Sequence, residues 1–183
     1  MEEVILVNEK DEPIGLMEKI LAHQEGRLHR AFSVLIFNEK NELLIHQRAK
    51  DKYHCGGLWT NACCSHPREH ETTLDAALRR IDEEMGFSCS LFHVDEFIYK
   101  AEFDNGLTEY EYDHIFIGYY NDNPVPNPLE VHDWKYVNIT MLEKDMALHP
   151  HNYTPWFKDI IQNRLENILK IKKQHESLQK NNL

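Results

Sequence analysis

The sequence predicts one α/β domain, and three stretches carry that prediction. RAFSVLIFNEKNELLIHQRA (30–49) sets two apolar runs rich in β-formers on either side of the polar turn Asn38-Glu39-Lys40-Asn41, the pattern of a hairpin. TTLDAALRRIDEEMG (72–86) brings Leu74, Ala77, Leu78, Ile81 and Met85 to helical spacing. LTEYEYDHIFIGYY (107–120) alternates strictly at its start, so Glu109, Glu111 and Asp113 share one face of a strand and Tyr110, Tyr112 and His114 the other.

In chain order, VILV at 4–7 followed by NEKDEPIG reads as a strand and turn, with a short helix over 16–23. The two runs of 30–49 are nearly continuous rather than alternating, which predicts that at least one strand is covered on both faces. The helix of 72–86 has Thr72 or Thr73 to cap its start and Gly86 for the left-handed residue after its end. At about 100° per residue, Arg80 and Glu84 fall on one flank of its apolar stripe while Glu83 points away. NDNPVPNP is a proline-rich loop, VHDWKYVNI a last strand, and 155–172 a periodic helix. Residues 1–172 are expected to form the single domain, and the polar tail 173–183 to fray.

A chain of 183 residues is long enough to bury a sizeable core, and 42% hydrophobic with 28% charged residues is ordinary for a globular protein. The start MEEVILV lacks the basic leader and long apolar stretch of a secretory signal, and no later run approaches a membrane span. A cytoplasmic location is expected, where four irregularly spaced cysteines argue for metal binding or catalysis over disulfides. The net charge of −11 repels nucleic acid, yet leaves room for a small phosphorylated substrate held by a metal and a few local bases. No partner beyond that small molecule is expected, and the chain should be a monomer or a weak homodimer.

Glu109 and Glu111, two apart on a strand, place their carboxylates roughly 7 Å apart at the backbone. They are either a solvated face or half of a metal site. His23, His29 and His66 stand near element ends, and three imidazoles with two carboxylates would make an N/O set suited to Mn²⁺ or Zn²⁺. His46, His54, His70 and His151 receive no role. Cys64 and His66 are one residue apart in an extended segment and so face the same way, whereas Cys63 points oppositely as a small buried hydrophobe. A cation beside Cys64 would favour its thiolate. A zinc knuckle would need CxxC spacing, which the chain lacks.

LHRAFSVLIF, TNACCSHP, RRIDEEMGF, the Glu109-Tyr110-Glu111 strand and TPWF resemble, in this order, the motifs of the type 1 isopentenyl diphosphate isomerases. That family is built on the Nudix fold, which implies a mixed β-sheet sandwiched between α-helices. The helix also resembles a degenerate Nudix box, with Ser65 at its glycine position and Arg80 replacing the first glutamate of its carboxylate cluster. A Nudix hydrolase needs that cluster, so the hydrolase alternative weakens; a non-catalytic protein with a structural metal is the other alternative.

The resemblance implies that His23, His29, His66, Glu109 and Glu111 hold a divalent ion, Mg²⁺ or Mn²⁺ with Zn²⁺ also compatible. It implies that Glu84 helps bind a second Mg²⁺ carried by the substrate, and that Lys19, Arg48, Lys52 and Arg80 contact the diphosphate. Cys64 and Glu111, the latter beside Tyr99, become the proton-transferring pair on opposite faces of the substrate, and Trp156 the π-face over the developing carbocation. Against members with an aromatic-Pro-Gly run before TN, this chain carries CGGLW, and Gly56-Gly57 would loosen the lip of the pocket.

Overall fold

Strand β1 (Glu3–Val7) pairs antiparallel with β2 (Pro13–Glu18), and helix α1 (Lys19–Glu25) follows at once. The computed structural model describes residues 2–181. Helix α1 therefore starts three residues after the expected position 16, because 13–18 extend the β-ribbon instead. It ends on Gly26, whose φ of 61° is the left-handed conformation glycine adopts without penalty.

The predicted hairpin is β3 (His29–Phe37) and β4 (Leu43–Arg48), but the two pair only near the turn, at Ile36–Leu44 and Phe37–Leu43. Beyond it they diverge. Strand β4 goes on to pair with β5 (Trp59–Thr60), while the middle of β3 pairs with β6 (Cys63–Ser65). Helix α2 (Thr73–Met85) starts with the Thr72 side chain accepting from Asp75 N and stops at Gly86 with φ 72°. Strand β7 (Leu91–Glu102) was not anticipated as a strand; it forms a long antiparallel ribbon with β8 (Thr108–Tyr119), with a bulge between His93 and Asp95. Strand β8 also runs parallel to β3 from Glu111 to Tyr119, and β9 (Val131–Val137) closes the edge on β4.

Helix α3 (Ile139–Leu148), likewise unanticipated, precedes α4 (Pro155–Asp159), a π-helical turn (Ile160–Arg164) and α5 (Leu165–Asn181). The helix thus continues past Lys172 instead of fraying there; residues 182 and 183 of the expected tail lie outside the described residues. Lys172 Nζ reaches Asn41 Oδ1 and Glu176 Oε1, both at 2.7 Å, and Tyr119 Oη donates to Glu176 at 3.0 Å, which pins this turn to the sheet.

Two cores explain the near-continuous apolarity of β3. Phe32, Val34 and Ile36 face α2 through Ala77, Ile81 and Met85, whereas Leu35 and Phe37 face Phe157, Ile160, Leu165 and Ile168 of the C-terminal helices. With α2 on one side and the C-terminal helices on the other, odd and even positions alike are apolar from Val34 to Phe37. The mixed sheet between helices is the architecture expected. Among the described residues no helix is long and apolar enough to cross a membrane.

Candidate active site

The parallel register of β3 and β8 sets His29 beside Glu111, at the end of the sheet where α1 crosses. Odd-numbered positions of β8 face the side of the C-terminal helices, so below Ile115 and Ile117 the same row continues as Asp113, Glu111 and Glu109, all buried. A solvated carboxylate face is excluded. On β6, Cys64 packs on this same side while Cys63 is buried on the α2 side. The opposite orientation of the two cysteines follows from the strand period.

His23 Nδ1 lies 2.7 Å from Lys19 O and His29 Nδ1 2.8 Å from Arg27 O. A carbonyl only accepts, so both rings carry their proton on Nδ1 and present an Nε2 lone pair. His29 Nε2 is 3.2 Å from His66 Nε2 and 3.5 Å from Glu111 Oε1, which is itself 2.8 Å from His66 Nε2. Donor atoms of His23, His29, His66 and Glu111 all lie within 4.8 Å of one another. His23 Nε2 is fully buried and has no hydrogen-bond partner among the described residues. An orphaned lone pair amid imidazoles and carboxylates fits a divalent cation, and this His/Glu cluster could hold one.

Glu109 stands at the flank of this group, 3.7 Å from His23 Nε2, and contacts His54 Nε2 and the Tyr99 hydroxyl. Tyr99 Oη also donates to Glu111 Oε2 at 2.7 Å, so one phenol bridges both glutamates. His54, assigned no role from sequence, is a correction: it is buried against Glu109 and lines the cleft, as do Tyr53 and His46. These sit in a loop or among core positions, where neither spacing nor periodicity signals them. Burial pushes Glu109 and Glu111 up, but the imidazoles of His23 and His54 beside the first and of His29 and His66 beside the second carry both below the usual carboxylate range. Burial brings His66 down to about 4, against the pull of Glu111. Desolvation also opposes charging His23, yet its contacts with Glu109 raise it. Burial and the adjacent carboxylates hold the Tyr99 phenol protonated.

A cationic rim closes over this floor. Arg48, Lys52, Arg80 and Lys19 line one cleft with Cys64, His66, Glu84, Glu109, Glu111 and Trp156. Arg48 Nη1 lies 3.7 Å from Cys64 Sγ, and its Cζ 5.4 Å from the Trp156 ring centre. Burial raises the Cys64 thiol, and Arg48 works against that rise. Trp156 is fixed by Nε1–H donating to Thr60 Oγ1 at 2.9 Å. Arg80 reaches Glu84 at 2.6 Å, Glu83 at 2.8 Å and Glu130 at 3.4 Å, while Lys52 pairs with Glu130 and Lys19 with Glu2. The flank shared by Arg80 and Glu84 is therefore real and looks into the cleft. At the lip, a Cβ on Gly56 would lie 2.4 Å from Lys50 O, so the glycine permits a close backbone approach.

The NUDIX domain model matches residues 27–157. The chain is 51% identical over 162 residues to isopentenyl-diphosphate Delta-isomerase 2 of Photorhabdus laumondii subsp. laumondii, covering 88% of this chain and 92% of that one. It is 47% identical over 155 residues to isopentenyl-diphosphate Delta-isomerase 2 of Aromatoleum aromaticum, covering 85% and 82%.

The chain belongs to the isopentenyl-diphosphate Delta-isomerase family.

The sheet and flanking helices of this isomerase-family chain also superpose on solved NUDIX-type structures. DR0079 from Deinococcus radiodurans gives a TM-score of 0.67 at 20% identity over 80% of this chain and 90% of that one. The MutT protein from Methanosarcina mazei Go1 gives 0.63 at 18% over 80% and 96%. At such identities the likeness is one of fold.

Proposed function

We propose that the protein interconverts isopentenyl diphosphate and dimethylallyl diphosphate, moving a double bond by protonation at one carbon and deprotonation at another. The observation that carries this is that Cys64 and Glu111, the latter bonded to Tyr99 Oη, line one cleft together with Arg48, Lys52, Arg80 and Lys19. A short hydrocarbon ending in a diphosphate needs that combination.

The rim holds the diphosphate through charge-assisted hydrogen bonds, with Glu84 sharing the Mg²⁺ that accompanies it. His23, His29, His66, Glu109 and Glu111 would hold a divalent ion, Mn²⁺ or Zn²⁺ by donor type or Mg²⁺ by charge, which would supply positive charge beside the two glutamates. Tyr99 Oη, kept protonated and bonded to Glu111 Oε2, stores the proton for the terminal methylene of the substrate. Cys64 on the other side accepts the proton from C2, with the Arg48 guanidinium working against the rise that burial gives its thiol. Trp156 spreads π-density over the intermediate positive charge and excludes water that would capture it.

Incubation with isopentenyl diphosphate and Mg²⁺ in D₂O, followed by NMR, tests the reading. The expected product is dimethylallyl diphosphate carrying deuterium in a methyl group. Unchanged substrate with metal bound would overturn it, and released phosphate would favour the hydrolase.

A further inference from the structure

We propose a second metal site on the outer face of the β7–β8 ribbon, in which His93, Glu96 and His114 take one Zn²⁺-class divalent ion. His93 Nε2 lies 3.4 Å from His114 Nδ1 and 3.4 Å from Glu96 Oε2, and His114 Nδ1 is 3.7 Å from Glu96 Oε2. Ligands bound about 2.0–2.2 Å from zinc at tetrahedral angles are themselves roughly 3.3–3.6 Å apart. The triangle is thus close to one face of a zinc tetrahedron, with its apex toward solvent, since His93 and Glu96 are both exposed.

The surroundings fit ligation better than an ordinary surface cluster. His114 Nε2 is 3.0 Å from Asp11 Oδ2, so the ring donates its Nε2 proton there and turns the Nδ1 lone pair to the triangle. Tyr112 Oη donates to Glu96 Oε1 at 3.0 Å, leaving Oε2 for the ion. Asp11 is in turn fixed by Arg30 Nε at 2.7 Å. Each of these partners orients a ligand and none occupies the metal position.

The bulge between His93 and Asp95 is what assembles the triangle. Three residues apart on a regular strand, His93 and Glu96 would point to opposite faces; the extra residue resets the alternation and puts both beside His114. Position 114 is even, so this site lies across the sheet from Glu109 and Glu111 and does not draw on them. Through Asp11, an ion here would also tie the turn between β1 and β2 to the β7–β8 ribbon.

The test counts Zn²⁺ bound at equilibrium by the wild-type protein and its variants, with the buried His/Glu cluster filled in all of them. Wild type should hold one equivalent more than His93→Ala. Asp11→Asn, which keeps all three ligands but weakens the orienting hydrogen bond, should bind that equivalent about ten-fold less tightly. His132→Ala, an exposed histidine on β9, should match wild type. In NMR spectra the ring resonances of His93 and His114 should move together as Zn²⁺ is added. Equal stoichiometry in wild type and His93→Ala, or an equal loss in His132→Ala, would overturn the site. Isomerase turnover with Mg²⁺ should be unchanged in His93→Ala; absence of turnover in every form would count against the proposed reaction and leave the metal count standing.

Discussion

Two acidic clusters face each other across the cleft, and they balance their charge differently. Glu109 and Glu111 on the floor have imidazoles and a phenol as neighbours, whereas Glu84 and Glu130 at the rim have Arg80 and Lys52. An imidazole whose pKa burial has lowered to about 4, as at His66, is neutral near pH 7 and offers a lone pair. A guanidinium is always charged and offers only donors. The floor therefore gathers negative charge and lone pairs without a permanent cation, the requirement for a metal. The rim is already neutralised, and in the proposed reaction an arriving diphosphate would take over the donors of Arg80 and release Glu84 to a substrate-borne ion.

The sharpest way to test that division is to remove the one reactive group that belongs to neither cluster. Cys64→Ala should lower kcat by about 1,000-fold, the scale of one acid–base partner, while metal content and melting temperature stay at wild-type values. Robust turnover would take Cys64 out of the reaction. Next, Glu111→Gln should lower metal affinity by about 100-fold and turnover with it, whereas Glu84→Gln should leave the resident metal in place and raise only the Mg²⁺ requirement. Metal analysis of both proteins would break the comparison if the two variants lost metal alike.

The floor should also respond to pH in a way the rim does not. His23 sits above the ordinary imidazole value of about 6.5, and a proton on its Nε2 competes with the ion. Metal affinity should thus be highest above that raised pKa and fall as pH drops through it, which calorimetric titration across pH 6 to about 8 would read. At the rim, Arg80→Ala should raise KM for the diphosphate by about ten-fold with resident metal unchanged. Lys52→Ala, removing a partly exposed cation, should raise KM by only about two- to five-fold. If either rim variant lost the floor metal, the two clusters would be one unit.

Much of this site was legible along the chain because strand and helix periods are local. The Glu109/Glu111 face, the opposed Cys63 and Cys64, and the shared flank of Arg80 and Glu84 all follow from counting residues. His54 did not, because it reaches Glu109 from a loop whose course depends on Gly56 packing against Lys50. Strand β7 escaped for a related reason: its bulge breaks the alternation, so Val94 and Phe97 are both buried although three residues apart.

By itself, then, the sequence determined the elements whose apolar periodicity is uninterrupted, the family, and the residues that the family's motifs single out. Tertiary structure alone decided which lone pairs meet. The parallel pairing of β3 with β8 brings His29 to Glu111 across 82 positions of chain, and carbonyls at Lys19 and Arg27 choose the tautomers of His23 and His29. Ligation depends on directions and separations of single atoms, and those are set by strand register and backbone partners that no local pattern encodes.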